Sequence, residues 1–293
     1  MDGKRNIYIW DMDETLILLK SLLDETYARA FNGAKDVRKG VEIGKAWETK
    51  ILQVCDDYFF YEQIEDCNSP FLDALTQHDD GIDLYGYDFN RDGFSISSFD
   101  ETSKTKLAYR HRFITELYKK GLHSIFNEDT INIWNDLYDV TDTYTDKWLS
   151  SASACLEQCL DKNKELVSSS ASASATTQDI NVLVTSGSLI PSLVKCLLFR
   201  LDGFISCENV YSSWEVGKLQ CFSWIRERYD SPNTQFCVIG DGWEECEAAE
   251  KMKWPFMKID VPPGGTHRFP GISLRTLNSY ISVVYGNDNA CSS

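Results

Sequence analysis

Positive charge is scarce in this chain, whose 293 residues include 29 lysines and arginines but 45 aspartates and glutamates, for a formal net charge of −16 at pH 7. A general nucleic-acid-binding protein needs a basic face to neutralise phosphates, so the composition argues against nucleic acid as a partner. Long apolar runs are also absent, and no stretch approaches the ~20 residues of a membrane-spanning helix. We therefore expect no membrane partner. Because 43% of the residues are hydrophobic, we expect a folded protein with a sizeable core.

The cysteines lack the patterns of a secreted disulfide-bonded protein. There are ten of them, scattered through the chain without a C-x-x-C pair, and no N-x-[S/T] glycosylation acceptor accompanies them. Dense cysteine frameworks belong to small extracellular domains, which this long chain does not resemble. We therefore expect reduced thiols and an intracellular protein, in the cytoplasm, the nucleus or both.

Short apolar runs alternate with helical patterns near the N-terminus and in the last third of the chain. The run 7–10 is typical of a buried parallel strand. Further strands are predicted at 181–184, 236–239 and 256–261, and helices at 191–201, 243–253 and 273–285. This alternation is typical of βαβ units and predicts an α/β fold with a parallel sheet.

The long region between the first two predicted strands has helical spacing instead. The residues that predict one side of a single helix there are Ile133, Leu137, Val140, Tyr144 and Trp148. The simplest arrangement is one α/β core, formed by residues 1–15 and 178–293, with residues 16–177 inserted as an all-α helical domain.

Two segments of this predicted insertion have unusual composition. Residues 56–101 hold 13 aspartates and glutamates, one arginine and no lysine, so most of the net charge is local. Within them, residues 88–93 match the first half of a calcium loop, but its twelfth position is Phe99 instead of a glutamate, so an ordinary glycine turn is the alternative. Residues 168–177 are rich in Ser, Ala and Thr and predict a flexible connection.

Polar side chains follow three of the predicted strands. They are Asp11 and Asp13, Thr185 and Ser186, and Asp241 with Glu244 and Glu245 on the first turn of the next helix. Ligands bind outside the carboxyl ends of strands in open parallel sheets, so these residues are the candidates for function. The pairs Asp11/Glu14 and Asp241/Glu244 also resemble helix capping boxes, which is the purely structural alternative.

Capping does not explain why three aspartates should meet at one sheet edge. Asp11, Asp13 and Asp241 would repel one another there unless a cation neutralised them. Mg²⁺ prefers oxygen ligands, uses one or two carboxylates and keeps positions for waters and a phosphate oxygen. The pattern therefore predicts a magnesium site that binds a phosphate group.

The segment 11–15 (D-M-D-E-T) resembles the D-x-D-x-T signature of the haloacid dehalogenase (HAD) superfamily. Other segments are similar to the conserved domain of the Eyes absent family, and the resemblance covers nearly the whole chain. They are 9–17, 182–185 (V-L-V-T), 189–191 (L-I-P), 217–218 (G-K), 238–245 (V-I-G-D-G-W-E-E), 92–94 (D-G-F) and 146–149 (D-K-W-L). The resemblance implies a HAD-like Rossmannoid sheet core with an inserted helical cap.

The activity implied by the resemblance is a Mg²⁺-dependent phosphatase that uses an aspartate nucleophile on phosphotyrosine in proteins or peptides. By motif, Asp11 would form a phosphoaspartate, and Asp13 would protonate the leaving group and then activate water. A carboxylate nucleophile needs no base to activate it, only relief of its repulsion with the phosphate.

The remaining motif residues would bind the phosphoryl group and the metal. Thr185 would hydrogen-bond the phosphoryl oxygens, and Lys218 would neutralise their charge, although a lysine that begins a helix is usually a solvated one. Asp241 would bind Mg²⁺ beside Asp11 and the main-chain carbonyl of Asp13. Glu245, and with less support Glu244, would hold a metal-bound water.

The chain departs from the animal members of the family in two places. The turn after the second strand is Thr-Ser-Gly-Ser at 185–188 instead of a Thr-rich turn, which questions a role for Ser186 but not for Thr185. The sequence also begins directly at the first strand. We therefore expect a short form, like that of plants, without the long activation region, and carry over no transcriptional role.

Other function classes are weighed against this one. No cysteine has an arginine six positions later, and no G-x-S-x-G, GxGxxG or Walker motif is present, so the sequence excludes thiol phosphatases and these other enzyme classes. Two alternatives stay open: a HAD-type phosphatase of small phosphometabolites, and a scaffold whose helical insertion docks a partner protein, with residual phosphatase activity.

Overall fold

A parallel β-sheet forms the centre of the molecule. The computed structural model describes residues 4–96, 100–160 and 178–286, and in them the sheet has five strands in the order β3-β2-β1-β4-β5. They are β1 (Arg5–Trp10), β2 (Ile180–Thr185), β3 (Val210–Ser212), β4 (Thr234–Gly240) and β5 (Phe256–Lys258). The predicted parallel α/β fold is confirmed, although β3, only three residues long, was not predicted and β5 ends before the predicted residue 261.

The α-helices of the described residues flank this sheet. Before β2 they are α1 (Lys20–Leu23), α2 (Thr26–Arg29), α3 (Val37–Tyr58), α4 (Tyr61–Ile64), α5 (Glu101–Lys120), α6 (Glu128–Tyr144) and α7 (Trp148–Leu160). After β2 they are α8 (Leu189–Leu198), α9 (Lys218–Tyr229), α10 (Trp243–Met252) and α11 (Leu274–Tyr285). Short 3₁₀ helices are found at Leu72–His78, Leu122–Ser124 and Cys207–Asn209.

Alternating strand residues give the sheet two buried faces. In β1, Ile7 and Ile9 pack with Phe222 of α9 and Ala249 of α10 in one hydrophobic cluster. Trp10 of β1 faces the other way and belongs to a larger cluster, which includes residues of α3, α6, α7, α8 and α11. Both faces are covered by helices, as expected for a parallel sheet, whose strands need burial on each side.

The described part of the chain between β1 and β2 contains helices and turns but no strand of the sheet. This agrees with the helical character predicted for the insertion, and its core is continuous with one face of the sheet. The division into core and inserted domain stays a prediction. The predicted flexible segment 168–177 lies outside the described residues.

The predicted single helix over 133–148 is wrong in its extent, and only part of the side that it presents is buried. Helix α6 ends at Tyr144 and α7 begins at Trp148, because Asp146 and Lys147 adopt positive φ angles of 56° and 69°. Of the five residues on the predicted side, Tyr144 and Trp148 are buried and Leu137 packs against the core, whereas Ile133 and Val140 are 61% and 42% exposed.

The side of α6 that is actually buried carries Trp134, Tyr138 and Thr141. The indole N–H of Trp134 donates to the carbonyl of Leu198 at 2.7 Å, so this ring buries a large apolar area and still satisfies its donor. Long-range packing thus selects a face one residue away from the one that aliphatic spacing suggests.

The acidic segment is organised around a buried cation. Arg110 of α5 is fully buried, and its guanidinium donates to the Asp92 carboxylate at 2.7 Å and to the carbonyl of Phe89 at 2.7 Å. The first half of the calcium-like loop therefore has its Asp92 paired with a protein cation. Phe99, at the twelfth position of that loop, lies outside the described residues.

The sequence predicts no membrane-spanning helix, and it predicts reduced thiols. Within the described residues, no helix is both long enough and apolar enough to cross a bilayer. Nine cysteines fall in these residues, and all nine are free thiols, most of them buried.

A pair of neighbouring substitutions tests the buried face of α6. We expect Trp134→Ala to lower the free energy of unfolding by about 3–5 kcal/mol, because it leaves a cavity and an unpaired carbonyl. Ile133→Ala should change it by less than about 0.5 kcal/mol, since this side chain is mostly exposed. Urea unfolding of both variants measures the difference, and equal losses would contradict the assignment of the face.

Candidate active site

Two aspartates from distant parts of the chain meet at the carboxyl edge of the sheet. Asp11 follows β1 directly, and its backbone N–H donates to the carbonyl of Ile239 on β4 at 2.8 Å. Asp241 follows β4, the strand paired with β1. One carboxylate oxygen each from Asp11, Asp241 and Glu245 lie within 4.8 Å of one another. We call these three residues the carboxylate cluster.

Glycines let Glu245 enter the cluster. This residue lies in the first turn of α10, and its Oε1 accepts the backbone N–H of Gly242 at 2.6 Å. A Cβ atom at Gly240 would lie 2.6 Å from both Cγ and Oε1 of Glu245, which no real contact allows. The Gly-Asp-Gly turn therefore combines a capping interaction with the delivery of a buried carboxylate to the sheet edge.

Lys218, the first residue of α9, is the cation of this site. Its ammonium donates to Asp11 and to the carbonyl of Val184 at 3.2 Å, and it lies 3.2 Å from Oε2 of Glu245. The side chain is almost fully buried. The sequence could equally place this lysine on a solvated helix face, but in the structure it is buried beside Asp11 and Glu245.

Burial and mutual repulsion shape the charges of these groups. Burial by itself would lower the pKa of Lys218, but Asp11 and Glu245 raise it above its ordinary value, so the ammonium stays charged. Burial raises the pKa of Asp11 although Lys218 opposes the shift, and burial together with Glu245 raises the pKa of Asp241. Three carboxylates share one lysine, so the cluster favours binding of a further cation.

Thr15 connects two of the carboxylates, a role that the sequence analysis did not assign. Its hydroxyl lies 3.4 Å from Oδ2 of Asp11 and 3.4 Å from Oδ1 of Asp241. Its carbonyl accepts the indole N–H of Trp148 at 3.1 Å. The threonine at the end of the D-x-D-x-T motif could have indicated this role. The hydrogen bond from Trp148 connects α7 to the carboxylate cluster.

Asp13 lies two residues from Asp11, but its carboxylate is directed elsewhere. Both of its oxygens accept from Nζ of Lys195 on α8, at 2.8 and 2.9 Å. The carboxylate cluster of Asp11, Asp241 and Glu245 does not include this carboxylate. The predicted contribution of Asp13 to the metal is its main-chain carbonyl, and that stays a prediction. Lys195 was not singled out from the sequence.

The residues after β2 occupy the same edge of the sheet. Thr185 is buried, and its hydroxyl oxygen accepts the backbone N–H of Gly187 at 3.1 Å, so its proton can point towards a bound group. Ser186 donates to Oε2 of Glu244 at 3.4 Å. Glu244 is exposed and faces Ser186, whereas its neighbour Glu245 is buried in the cluster.

A cavity of about 400 Å³ opens beside Lys218. Ser186 and Glu244 line it, together with the exposed Trp214 and with Lys251 of α10. The site thus has an open flank with both aromatic and charged walls.

The acidic segment 56–101 borders the carboxyl edge on the side of β2 and β3. The amide oxygen of Asn68 accepts the backbone N–H of Leu189 at 2.9 Å, at the start of α8. The carbonyl of Pro70 accepts the backbone N–H of Ser212 at 2.8 Å, at the end of β3. Part of the charged insertion is therefore fixed next to the turn that carries Thr185.

Comparison with known proteins identifies the family. No protein-family model matches the chain. It is 58% identical over 292 residues to "Protein phosphatase EYA" of Arabidopsis thaliana, covering 100% of this chain and 94% of that protein. It is 32% identical to "Protein phosphatase EYA2" of Homo sapiens and 31% identical to "Protein phosphatase eya" of Drosophila melanogaster, over 86% and 87% of this chain.

The animal relatives are much longer, since the matched part is 47% of the human protein and 33% of the fly protein. The match to the Arabidopsis protein, in contrast, extends over nearly the full length of both chains. The chain belongs to the Eyes absent (EYA) family of protein phosphatases.

Proposed function

We propose that this protein is a Mg²⁺-dependent protein-tyrosine phosphatase in which Asp11 is the nucleophile. One observation carries the proposal: the buried Asp11 and Glu245 and the partly buried Asp241 form a carboxylate cluster with Lys218 at the carboxyl edge of the sheet. Buried like charges are unfavourable for stability, so their convergence points to a site that binds a cation and an anionic substrate.

The donor set fits a hard divalent cation. All three groups of the cluster offer carboxylate oxygens within 4.8 Å of one another, and Lys218 is the cation among them. Asp11, Asp241 and the main-chain carbonyl of Asp13 would hold Mg²⁺, and Glu245 would hold one of its waters. When bound, the metal supplies the positive charge that relieves repulsion between carboxylate and phosphate.

The reaction divides into two displacements at phosphorus. A carboxylate oxygen of Asp11 attacks the phosphorus atom, the bond to the tyrosyl oxygen breaks, and Asp13 gives a proton to that oxygen. In the second step Asp13 takes a proton from water, the water oxygen attacks the phosphorus, and the bond between phosphorus and the Asp11 oxygen breaks, which releases inorganic phosphate and the free Asp11 carboxylate. The ordinary pKa of a tyrosyl hydroxyl is about 10, so this leaving group demands less of the acid than an alkyl one.

Lys218 and Thr185 act on the phosphoryl group. Lys218 holds Asp11 in a fixed orientation and neutralises charge on the phosphoryl oxygens, while the Thr185 hydroxyl donates to one of them. Because both side chains are buried, these interactions act away from bulk water, where they are stronger.

The two alternatives predict different behaviour. A phosphatase of small phosphometabolites would prefer sugar or acyl phosphates to phosphotyrosyl peptides. A scaffold would bind its partner through the helical insertion and would not need the buried carboxylates, whose repulsion costs stability. An intracellular location, phosphoprotein substrates and a partner at the helical insertion remain proposals from the sequence and from the names of the relatives.

Substitution of the nucleophile tests the proposed mechanism. We expect wild-type protein to hydrolyse a phosphotyrosyl peptide in the presence of Mg²⁺ and to act much more slowly on the phosphoseryl equivalent. Asp11→Asn should lower the rate by roughly 10³-fold or more, since the nucleophile is lost. Phosphate release, measured with and without a chelator and after thiol alkylation, gives the comparison; activity that survives chelation would contradict the proposal.

A glycine substitution tests the access of Glu245 to the site. In Gly240→Ala the added methyl group would displace the Glu245 carboxylate, and we expect a roughly 10- to 100-fold loss of Mg²⁺ affinity or activity. Gly203→Ala is the matched control, because nothing lies within 4 Å of its added Cβ. The measurement is activity as a function of Mg²⁺ concentration for both variants. An unchanged curve for Gly240→Ala would contradict a role for Glu245 in metal binding.

Peptide charge tests the effect of the acidic segment. Because this segment borders the turn at 185–188, we expect basic phosphotyrosyl peptides to be hydrolysed roughly threefold faster than acidic ones at low ionic strength. The difference should shrink as salt screens the charges. kcat/KM for matched basic, neutral and acidic peptides at two salt concentrations measures it, and equal values at low salt would eliminate the effect.

A further inference from the structure

The proposed mechanism assigns no role to Lys195, which forms an ion pair with Asp13. Nζ of Lys195 lies 2.8 and 2.9 Å from the two carboxylate oxygens of Asp13, so one ammonium contacts both. We propose that Lys195 is a positioning residue, which fixes the Asp13 carboxylate apart from the carboxylate cluster and in reach of the leaving oxygen. This inference rests on the proposed function, because Asp13 acts there on the leaving group and on water.

The backbone around Asp13 is already fixed, which leaves the side chain as the variable part. The carbonyl of Met12 accepts the backbone N–H groups of Leu16 and Ile17 at 2.9 and 3.1 Å, and Asp13 forms an isolated bridge with Ile17. An aspartate side chain still has two rotatable bonds. The bonds from Lys195 to both oxygens select one orientation of that carboxylate.

Helix α8 connects this anchor to the phosphoryl-binding turn. The helix begins at Leu189, four residues after Thr185, and Lys195 lies less than two turns further along it. Ser192 fixes the first turn, since its hydroxyl donates to the carbonyl of Ser188 at 2.7 Å. Helix α8 and the turn before it therefore connect the hydroxyl proposed for phosphate binding with the lysine that holds the Asp13 carboxylate.

A purely structural role for the pair is the competing explanation. The side chains of Lys195 and Asp13 are 14% and 35% exposed, and ion pairs of this kind contribute little to stability. Without Lys195, the Asp13 carboxylate could take other rotamers, and a displacement of about 1 Å in a reacting group can cost roughly 100-fold in rate. We therefore expect loss of Lys195 to affect turnover far more than folding.

A double-mutant cycle separates action through Asp13 from independent action. We expect Lys195→Met to lower kcat on a phosphotyrosyl peptide by roughly 10- to 100-fold with KM changed less than about threefold, and Lys195→Arg to recover part of the loss. In the Asp13→Asn background, Lys195→Met should cause no further loss, because the group that it positions is already gone. Single-turnover measurements keep the slow variants observable.

The control is an ion pair of similar exposure between two turns of the segment that separates β1 from β2. Lys35 is paired with Asp146 at 2.6 Å, and the two side chains are 14% and 45% exposed. Lys35→Met should keep wild-type kcat, and its melting temperature reports what the loss of such a pair does to stability. A melting temperature of Lys195→Met far below that of Lys35→Met, with a proportional loss of activity, would show a structural role and overturn the inference.

Other outcomes would contradict the positioning role of Lys195, and each points to a different explanation. Multiplicative losses in the double variant would mean that Lys195 acts independently of Asp13, and a rise in KM with unchanged kcat would mean a direct contact with substrate. If Asp13→Asn lowers the rate while Lys195→Met does not, only the positioning role fails. If Asp11→Asn and Asp13→Asn both keep wild-type activity, the proposed function fails and the inference falls with it.

Discussion

Repulsion among buried carboxylates is the constraint around which the carboxyl edge of this sheet is built. Asp11, Asp241 and Glu245 bring three acidic groups together, and Lys218 can neutralise only one of them. Each local feature of the edge supports this costly arrangement. The glycine at 240 leaves room for Glu245, and the hydroxyl of Thr15 lies between the two aspartates.

The two aspartates of the first loop acquire different surroundings from different helices. Lys218 at the start of α9 contacts Asp11, whereas Lys195 on α8 contacts Asp13. Both helices follow strands of the same parallel sheet; Lys218 is the first residue of α9, whereas Lys195 lies in the last turn of α8. Residues only two positions apart thus have separate partners, which is what a mechanism with one nucleophile and one proton-transfer group requires.

The helical segment between β1 and β2 also takes part in the site. The indole of Trp148 donates to the carbonyl of Thr15, and the acidic segment contacts the end of β3 and the start of α8 through Asn68 and Pro70. Its hydrophobic core is continuous with one face of the sheet. Substitutions in these helices can therefore alter the geometry of the carboxylate cluster even where the substituted residue does not contact it.

The local pattern of the sequence determined the strands and the residues that follow them. Short apolar runs mark β1, β2 and β4, and the polar residues after such runs must lie at one edge of a parallel sheet. For this reason Asp11, Asp241 and Thr185 could be named in advance, whereas Lys218, which follows the unpredicted β3, was named only from a motif of the family resemblance. Glu245 was also named, but its entry into the cluster itself depends on the Gly-Asp-Gly turn.

Only the tertiary structure decided which contacts form between distant residues. Asp13 and Lys195 are 182 positions apart, and no periodicity or spacing connects them. Aliphatic spacing likewise placed Ile133 and Val140 on one side of a helix with the buried Tyr144, but both are largely exposed because a hydrogen bond from Trp134 to Leu198 helps to bury the adjacent face of α6. The local pattern determines at which position of a strand or helix a side chain lies, whereas packing of the whole chain determines which distant residues that side chain contacts.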